Sequence, residues 1–273
     1  DPYNIPRDGF KPEPLPPGSE WKQNVPATVP GWYPLLTGRE EWVHLLGTTS
    51  GQYDIWYGIV WGSRTALLAG TAVVAVSALF GILVGSIAGF YGGWVDEILM
   101  RIVEVFIVFP ALVAVLVLSS ILVPIFGQSV WPAMIALIVF GWMGYARLLR
   151  GDILSNKERD YVLAARASGA KDTHIILKHV LPNAIFPTLV FLSLDMGAIV
   201  LAFATLSFLG VGVEPGYADW GQIVSFARDW ILTLDIHWYI VLYPGLALLL
   251  YGLGWNLLGD ALRDILDPKL RKG

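Results

Sequence analysis

The sequence contains no cysteine, which removes disulfides, thiol nucleophiles and thiolate metal sites together and leaves the redox compartment open. Charge is scarce as well: Asp, Glu, Lys and Arg make up 15% of the 273 residues, against roughly 25% in a soluble domain. Eighteen basic and 22 acidic residues cannot cover the surface of a soluble protein of this length. The net charge of -4 lacks the clustered basic excess that phosphate backbones require, so nucleic acid is not expected as a partner. No lysine follows a glycine, so the G-x-x-x-x-G-K-[ST] loop that cradles phosphates is missing. H-E-x-x-H and G-x-S-x-G are missing too, and Gly210-Val211-Gly212 fails as a dinucleotide fingerprint because Pro215 takes the third glycine position. His174 and His179 are five positions apart, about 140° around an α-helix, so no metal is expected between them.

What is present is apolar: 55% hydrophobic residues and a mean hydropathy of +0.61. Crossing roughly 30 Å of hydrocarbon takes about 20 apolar residues in a helix. Five stretches approach or exceed that length: Thr65 to Phe90, Val105 to Phe126, Val130 to Ala146, Ala184 to Leu209 and Trp238 to Leu258. The fold class expected is therefore all-α, a polytopic membrane bundle. Asp195 is the one formal charge inside these stretches, and its insertion cost of about 2.5 to 3.5 kcal/mol is outweighed by its apolar neighbours. An intramembrane acid is a candidate for a transport pathway, with a structural pair or a wet cavity as the alternative. Arg101 and Glu104, spaced i and i+3, read as an interfacial ion pair.

Basic residues fix the expected orientation, because Lys and Arg are retained on the cytoplasmic side. Residues 150–182 and the tail 261–273 are basic, whereas 210–237 carries Arg228 against Glu214, Asp219, Asp229 and Asp235. The first two are expected inside, with a cytoplasmic C-terminus, and the third outside, as five alternating spans require. Residues 1–64, rich in proline up to Pro17 and again at Pro26, Pro30 and Pro34, then lie outside and read as extended surface coil. The domains expected are this segment, a transmembrane unit 65–260 and the tail. A sixth helix is expected upstream to lead residues 1–64 across the membrane.

Between the third and fourth stretches, Asp160-Tyr161-Val162-Leu163-Ala164-Ala165-Arg166-Ala167-Ser168-Gly169-Ala170-Lys171-Asp172 reads as a helix and its stop. Tyr161, Ala164, Ala165 and Ser168 fall on one face, Gly169 supplies a left-handed end, Asp172 caps the next helix and Pro182 ends it. A face of small side chains permits close approach by another protein. In the first stretch Ser77, Gly81, Gly85 and Gly89 recur every four residues, the pattern of closely packed membrane helices.

The loop resembles the EAA loop of ABC-importer permeases. Ala164, Ala165, Gly169, Leu181 and Pro182 match that pattern in register, with Leu163 in place of its Glu and His179 in place of its usual Ile. Gly141-Trp142, Tyr145-Ala146-Arg147 and Arg150-Gly151 resemble the run leading into the loop in permeases of the dipeptide, oligopeptide and nickel type, C-type subunit. Leu46-Gly47-Thr48, Ser207-Phe208-Leu209-Gly210-Val211-Gly212 with Trp220-Gly221, and Asn256 to Asp260 followed by Leu266-Asp267-Pro268 and Leu270-Arg271 resemble further segments of that group. Thr49, Gln52, Tyr53, Gly58 and Phe203 depart from it.

The resemblance implies a type I importer fold and a transport subunit that is not itself an enzyme and carries no cofactor, with ATP and magnesium bound by partner ATPases. It implies two ATPase subunits, a second permease and an external solute-binding protein as partners in the inner membrane, and di- or oligopeptides as cargo. It makes Tyr161, Ala164, Ala165, Ser168 and Gly169 the ATPase-docking surface, with Arg159, Arg166 and Lys171 at its rim, and the Ser77 to Gly89 stripe a packing face within the chain or toward the second permease. The alternative function is a stand-alone channel or ion-coupled transporter working through Asp195, which would need ionisable residues on several spans.

Overall fold

The computed structural model describes residues 3–23 and 41–266. Pro26, Pro30, Pro34 and the tail from Asp267 onward lie outside the described residues. Two short strands, β1 (Ser19–Glu20) and β2 (Val43–His44), pair antiparallel. The helices are α1 (Ile55–Tyr91), α2 (Gly93–Ile107), α3 (Ala111–Phe126), α4 (Val130–Asn156), α5 (Asp160–Ala167), α6 (Asp172–Ile175), α7 (Leu181–Ala184), α8 (Phe186–Phe208), α9 (Trp220–Ser225), α10 (Leu234–His237) and α11 (Tyr239–Leu266). A π-turn, Ile176–Val180, joins α6 to α7, and a 3-10 turn, Arg228–Thr233, precedes α10.

Among the described residues α1, α4, α8 and α11 are each long and apolar enough to span a membrane. The second expected stretch is not one straight helix: α2 and α3 meet at a bend of 85° and make at most one broken span. Pro110 explains the break, since it lacks an amide hydrogen and forces Phe109 away from helical geometry. Helix α1 begins at Ile55, earlier than the expected Thr65, because the Asp54 carboxylate accepts the Tyr57 amide at 2.7 Å and caps it there. Helix α4 runs on past Ala146 to Asn156. Its charge finds a partner, for Arg150 donates to both carboxylate oxygens of Asp96 on α2 at 2.5 and 2.6 Å. Arg101 and Glu104 do pair, at 3.3 Å, with both side chains exposed.

Helices α1 and α4 pack along the glycine stripe. A Cβ on Gly81 would sit 2.5 Å from the Trp142 carbonyl, one on Gly85 2.5 Å from the Ala146 carbonyl, and one on Gly89 2.9 Å from Ile153; Ser77 Oγ lies 2.7 Å from where a Cβ on Gly141 would be. The stripe is thus filled from within the chain. Helices α8 and α11 cross where Gly197 meets Gly252.

The N-terminal segment is extended but not a free coil. Ile5 donates to the Gly216 carbonyl at 2.7 Å and Ala218 to the Tyr3 carbonyl at 2.6 Å, so residues 3–8 lie along the loop that follows α8. Ile5, Ile55, Ala218, Trp220, Ile223 and Tyr239 share an apolar cluster beneath this cap. The fully buried His44 ring packs against Trp21 at 4.1 Å between centroids, tilted by 33°, and lies between the Asp54 carboxylate, 2.7 Å from Nδ1, and that of Asp8, 3.5 Å from Nε2. Asp219 caps α9 through the Gln222 amide at 2.9 Å. Burial pushes its carboxyl up to about 6, against the opposing pull of the Gln222 amide, the Ser207 hydroxyl and the Gly221 amide. The cap closes one end of the bundle and residues 157–185 occupy the other.

Candidate functional site

At that other end α5 is seated on the bundle by one apolar cluster. Val162 is fully buried and joins Phe90, Leu149, Ile153, Ile175, Ile176, Val180 and Ala184. Ala165, three residues on and so on the same face, packs against this cluster too and is half-buried. The expected outward face therefore splits: Tyr161, Ala164 and Ser168 are exposed, and Leu163 is exposed beside them, whereas Ala165 belongs partly to the seat. The Tyr161 hydroxyl donates to Asn156 Oδ1 at 3.4 Å and the Ser168 hydroxyl to the Ala164 carbonyl at 2.9 Å. Arg166 is exposed, but its guanidinium carbon lies 5.7 Å from the centroid of the Phe90 ring. Arg159 and Lys171 are exposed N-cap positions of α5 and α6.

Gly169 ends α5 with φ +79. Its amide bonds the Arg166 carbonyl at 3.0 Å and the Ala170 amide bonds the Ala165 carbonyl at 3.1 Å, the pair of contacts of a Schellman motif. Beyond it two local expectations fail. Asp172 is the first residue of α6 rather than its cap, a place taken by Lys171 without a side-chain bond. Pro182 does not end the ladder, because the π-turn before it closes on the Leu181 amide, bonded to the Ile176 carbonyl, and α7 continues through the proline. The same turn brings the His174 and His179 rings to 5.6 Å between centroids, where an α-helix would have turned them apart.

Within the membrane Asp195 on α8 accepts a 2.7 Å hydrogen bond from Tyr145 on α4. Tyr145 is fully buried, and Phe191 meets its ring edge-on at 5.0 Å. Nothing local in the sequence joins Tyr145 to Asp195, fifty positions on; a lone phenol on the helix facing a lone acid is the one signal that they meet. Tyr145→Phe leaves the carboxylate without its donor and is expected to lower stability by about 1 to 3 kcal/mol. Thermal unfolding of the detergent-purified protein measures this, and Asp195→Asn, which keeps an acceptor for the phenol, should cost less. A cavity of about 320 Å3 between α3, α4 and α8 is lined by Leu112, Val115, Leu137, Phe140, Ile199 and Leu206 among others, all of them apolar, and Asp195 is not part of its wall. Among the described residues no three His, Asp or Glu side chains gather as metal ligands.

Residues 81–272 match the family described as binding-protein-dependent transport system inner membrane component. The chain is 36% identical over 228 residues to the dipeptide transport system permease protein DppC of Alkalihalophilus pseudofirmus, covering 84% of this chain and 73% of that one. It is 38% identical over 226 residues to the probable D,D-dipeptide transport system permease protein DdpC of Escherichia coli, covering 83% and 74%. The glutathione transport system permease protein GsiD of Pectobacterium atrosepticum is also 38% identical, over 84% of this chain and 73% of its own. In fold, the chain resembles the inward-facing MetNI methionine ABC transporter with a TM-score of 0.60 at 18% identity, over 76% of this chain and 97% of that one.

Proposed function

Since the chain belongs to the binding-protein-dependent inner membrane components, the permease subunits of ABC importers, we propose that it carries short peptides and that α5 is the surface through which an ATPase drives it. As a family member it works in the membrane with ATPase and binding-protein components; two ATPases, one further permease and a cytoplasmic C-terminus complete the proposal. The cargo rests on relatives named for dipeptide, D,D-dipeptide and glutathione transport, all compounds with peptide bonds.

One observation carries the docking surface: α5 presents Tyr161, Leu163, Ala164 and Ser168 outward while Val162 ties it to α4 and α7. A short helix with an exposed aromatic and an exposed leucine, anchored by its opposite face, passes a push from outside into α4 and, through the π-turn and α7, on toward α8. Asp195 is held by Tyr145, and a lone acid of this kind does not make an ion-coupled transporter. Exposed Ala164 gives the cleaner test, because Ala165 also packs inward. Ala164→Trp should weaken ATPase binding to the solubilised permease pair by about 1 to 3 kcal/mol if the face sits in a groove, which is roughly 5- to 150-fold in affinity. A change within about 0.5 kcal/mol, as at an ordinary surface position, would remove this face from the interface.

A further inference from the structure

Four histidines occur in the chain. His44 and His237 are buried, His174 is exposed and His179 half-buried. On a regular helix the last two diverge, but residues 176–180 form a π-turn, with i to i+5 hydrogen bonding. That spacing is the one separating His174 from His179, and their ring centroids lie 5.6 Å apart with planes at 62°. Two imidazoles bound to one zinc at about 2.0 to 2.1 Å, with tetrahedral or tighter bond angles, place their ring centroids roughly 4.5 to 5.3 Å apart. The observed pair is a few tenths of an ångström from that arrangement, within reach of a small side-chain adjustment.

We propose that His174 and His179 form a binding site for a divalent transition-metal ion on the cytoplasmic-loop end of the protein, with the π-turn as its scaffold. The donor set selects the ion. Two imidazoles without a carboxylate suit zinc, nickel or copper(II), whereas magnesium and calcium require oxygen ligands. No third His, Asp or Glu joins the pair among the described residues, so water fills the remaining positions and leaves one of them open to a carboxylate from a docked protein. Lys178 lines an open groove with Thr173, His174 and Leu177, and its positive charge beside His174 opposes the metal.

The position gives the site a consequence. The π-turn is the link between the seat of α5 and the start of α8. An ion bridging His174, just ahead of the turn, and His179 within it holds the two at one separation and stiffens that link, which makes it a brake on the coupling movement. This second step rests on the docking role proposed for α5, and the binding itself does not.

The experiment titrates the full-length, tag-free chain in detergent with nickel chloride or zinc chloride alone and follows heat. One ion per chain is expected. His174→Asn and His179→Asn should each weaken binding roughly 10- to 100-fold or more, Lys178→Gln should tighten it, and all three should unfold at the wild-type temperature without metal. Binding unchanged in both histidine variants, or absent from the wild type at millimolar metal, overturns the site. In the assembled importer, zinc should reduce substrate-stimulated ATP hydrolysis in wild type and not in His174→Asn. Metal binding with unaltered hydrolysis overturns the brake and leaves the site standing.

Discussion

Gly85→Val is expected to leave little folded protein. Its Cβ would lie 2.5 Å from the Ala146 carbonyl oxygen and 3.2 Å from the carbonyl carbon and Cα of the same residue. Those atoms are backbone on the facing helix α4, so no rotamer change relieves the contact. The two helices must separate over the whole stripe, which also includes Gly81 against Tyr145 and Gly89 against Ile153. Overpacking of this kind costs about 3 kcal/mol or more, and here it falls on the most extensive helix–helix contact of the bundle. Gly151→Ala on α4 supplies the control, because a Cβ there meets nothing within 4 Å and should be neutral or stabilising by up to about 1 kcal/mol. The yield of monodisperse protein and its unfolding midpoint report both variants; a wild-type midpoint for Gly85→Val would mean that α1 and α4 do not approach as described.

Gly169→Val is expected to act on coupling and not on the bundle. A Cβ at this position also meets nothing within 4 Å, but the residue has φ +79, where an L side chain costs roughly 1 to 2 kcal/mol and a β-branched one more. The strain is relieved locally, by breaking the Schellman contacts of Arg166 and Ala165 and releasing α5 from α6. In reconstituted complexes the variant should keep basal ATP hydrolysis and lose its stimulation by substrate. Gly169→Asn should retain part of it, since asparagine tolerates the left-handed region. Full stimulation in the valine variant would take this turn out of the route between ATPase and membrane.

Much of this was readable in the chain. Long uncharged runs gave the spans, and the spacing of Ser77, Gly81, Gly85 and Gly89 gave a close helix contact, because both signals are local and periodic. Gly169 was readable for the same reason. The failures are of two kinds. Pro110 was in plain sight but lay within an apolar run, and hydropathy is insensitive to a missing amide hydrogen. The others depend on partners far away in sequence: Arg150 stays in a helix because Asp96 meets it, Ala165 turns inward because Val162 has a pocket made by four other helices and a turn, and Tyr145 meets Asp195 across fifty positions. The histidine pair belongs with them. Nothing in the spacing alone announces a π-turn, although the proline that follows made some departure from the regular ladder necessary.

The clasp between residue 5 and residue 216 has a bearing on biosynthesis. The two are 211 positions apart, the difference of those numbers, so at roughly 5 to 20 residues per second of synthesis the early segment waits about 10 to 40 s for its mate. During that interval Ile5 and the face of α1 it covers are without their cover. Every intervening span has to be threaded with the correct parity for the two to arrive on one side of the bilayer, so the clasp closes only on a correctly inserted chain. A chain with one span inverted would leave residues 3–8 on the wrong side of the bilayer from the loop they bond, with these backbone groups unpaired.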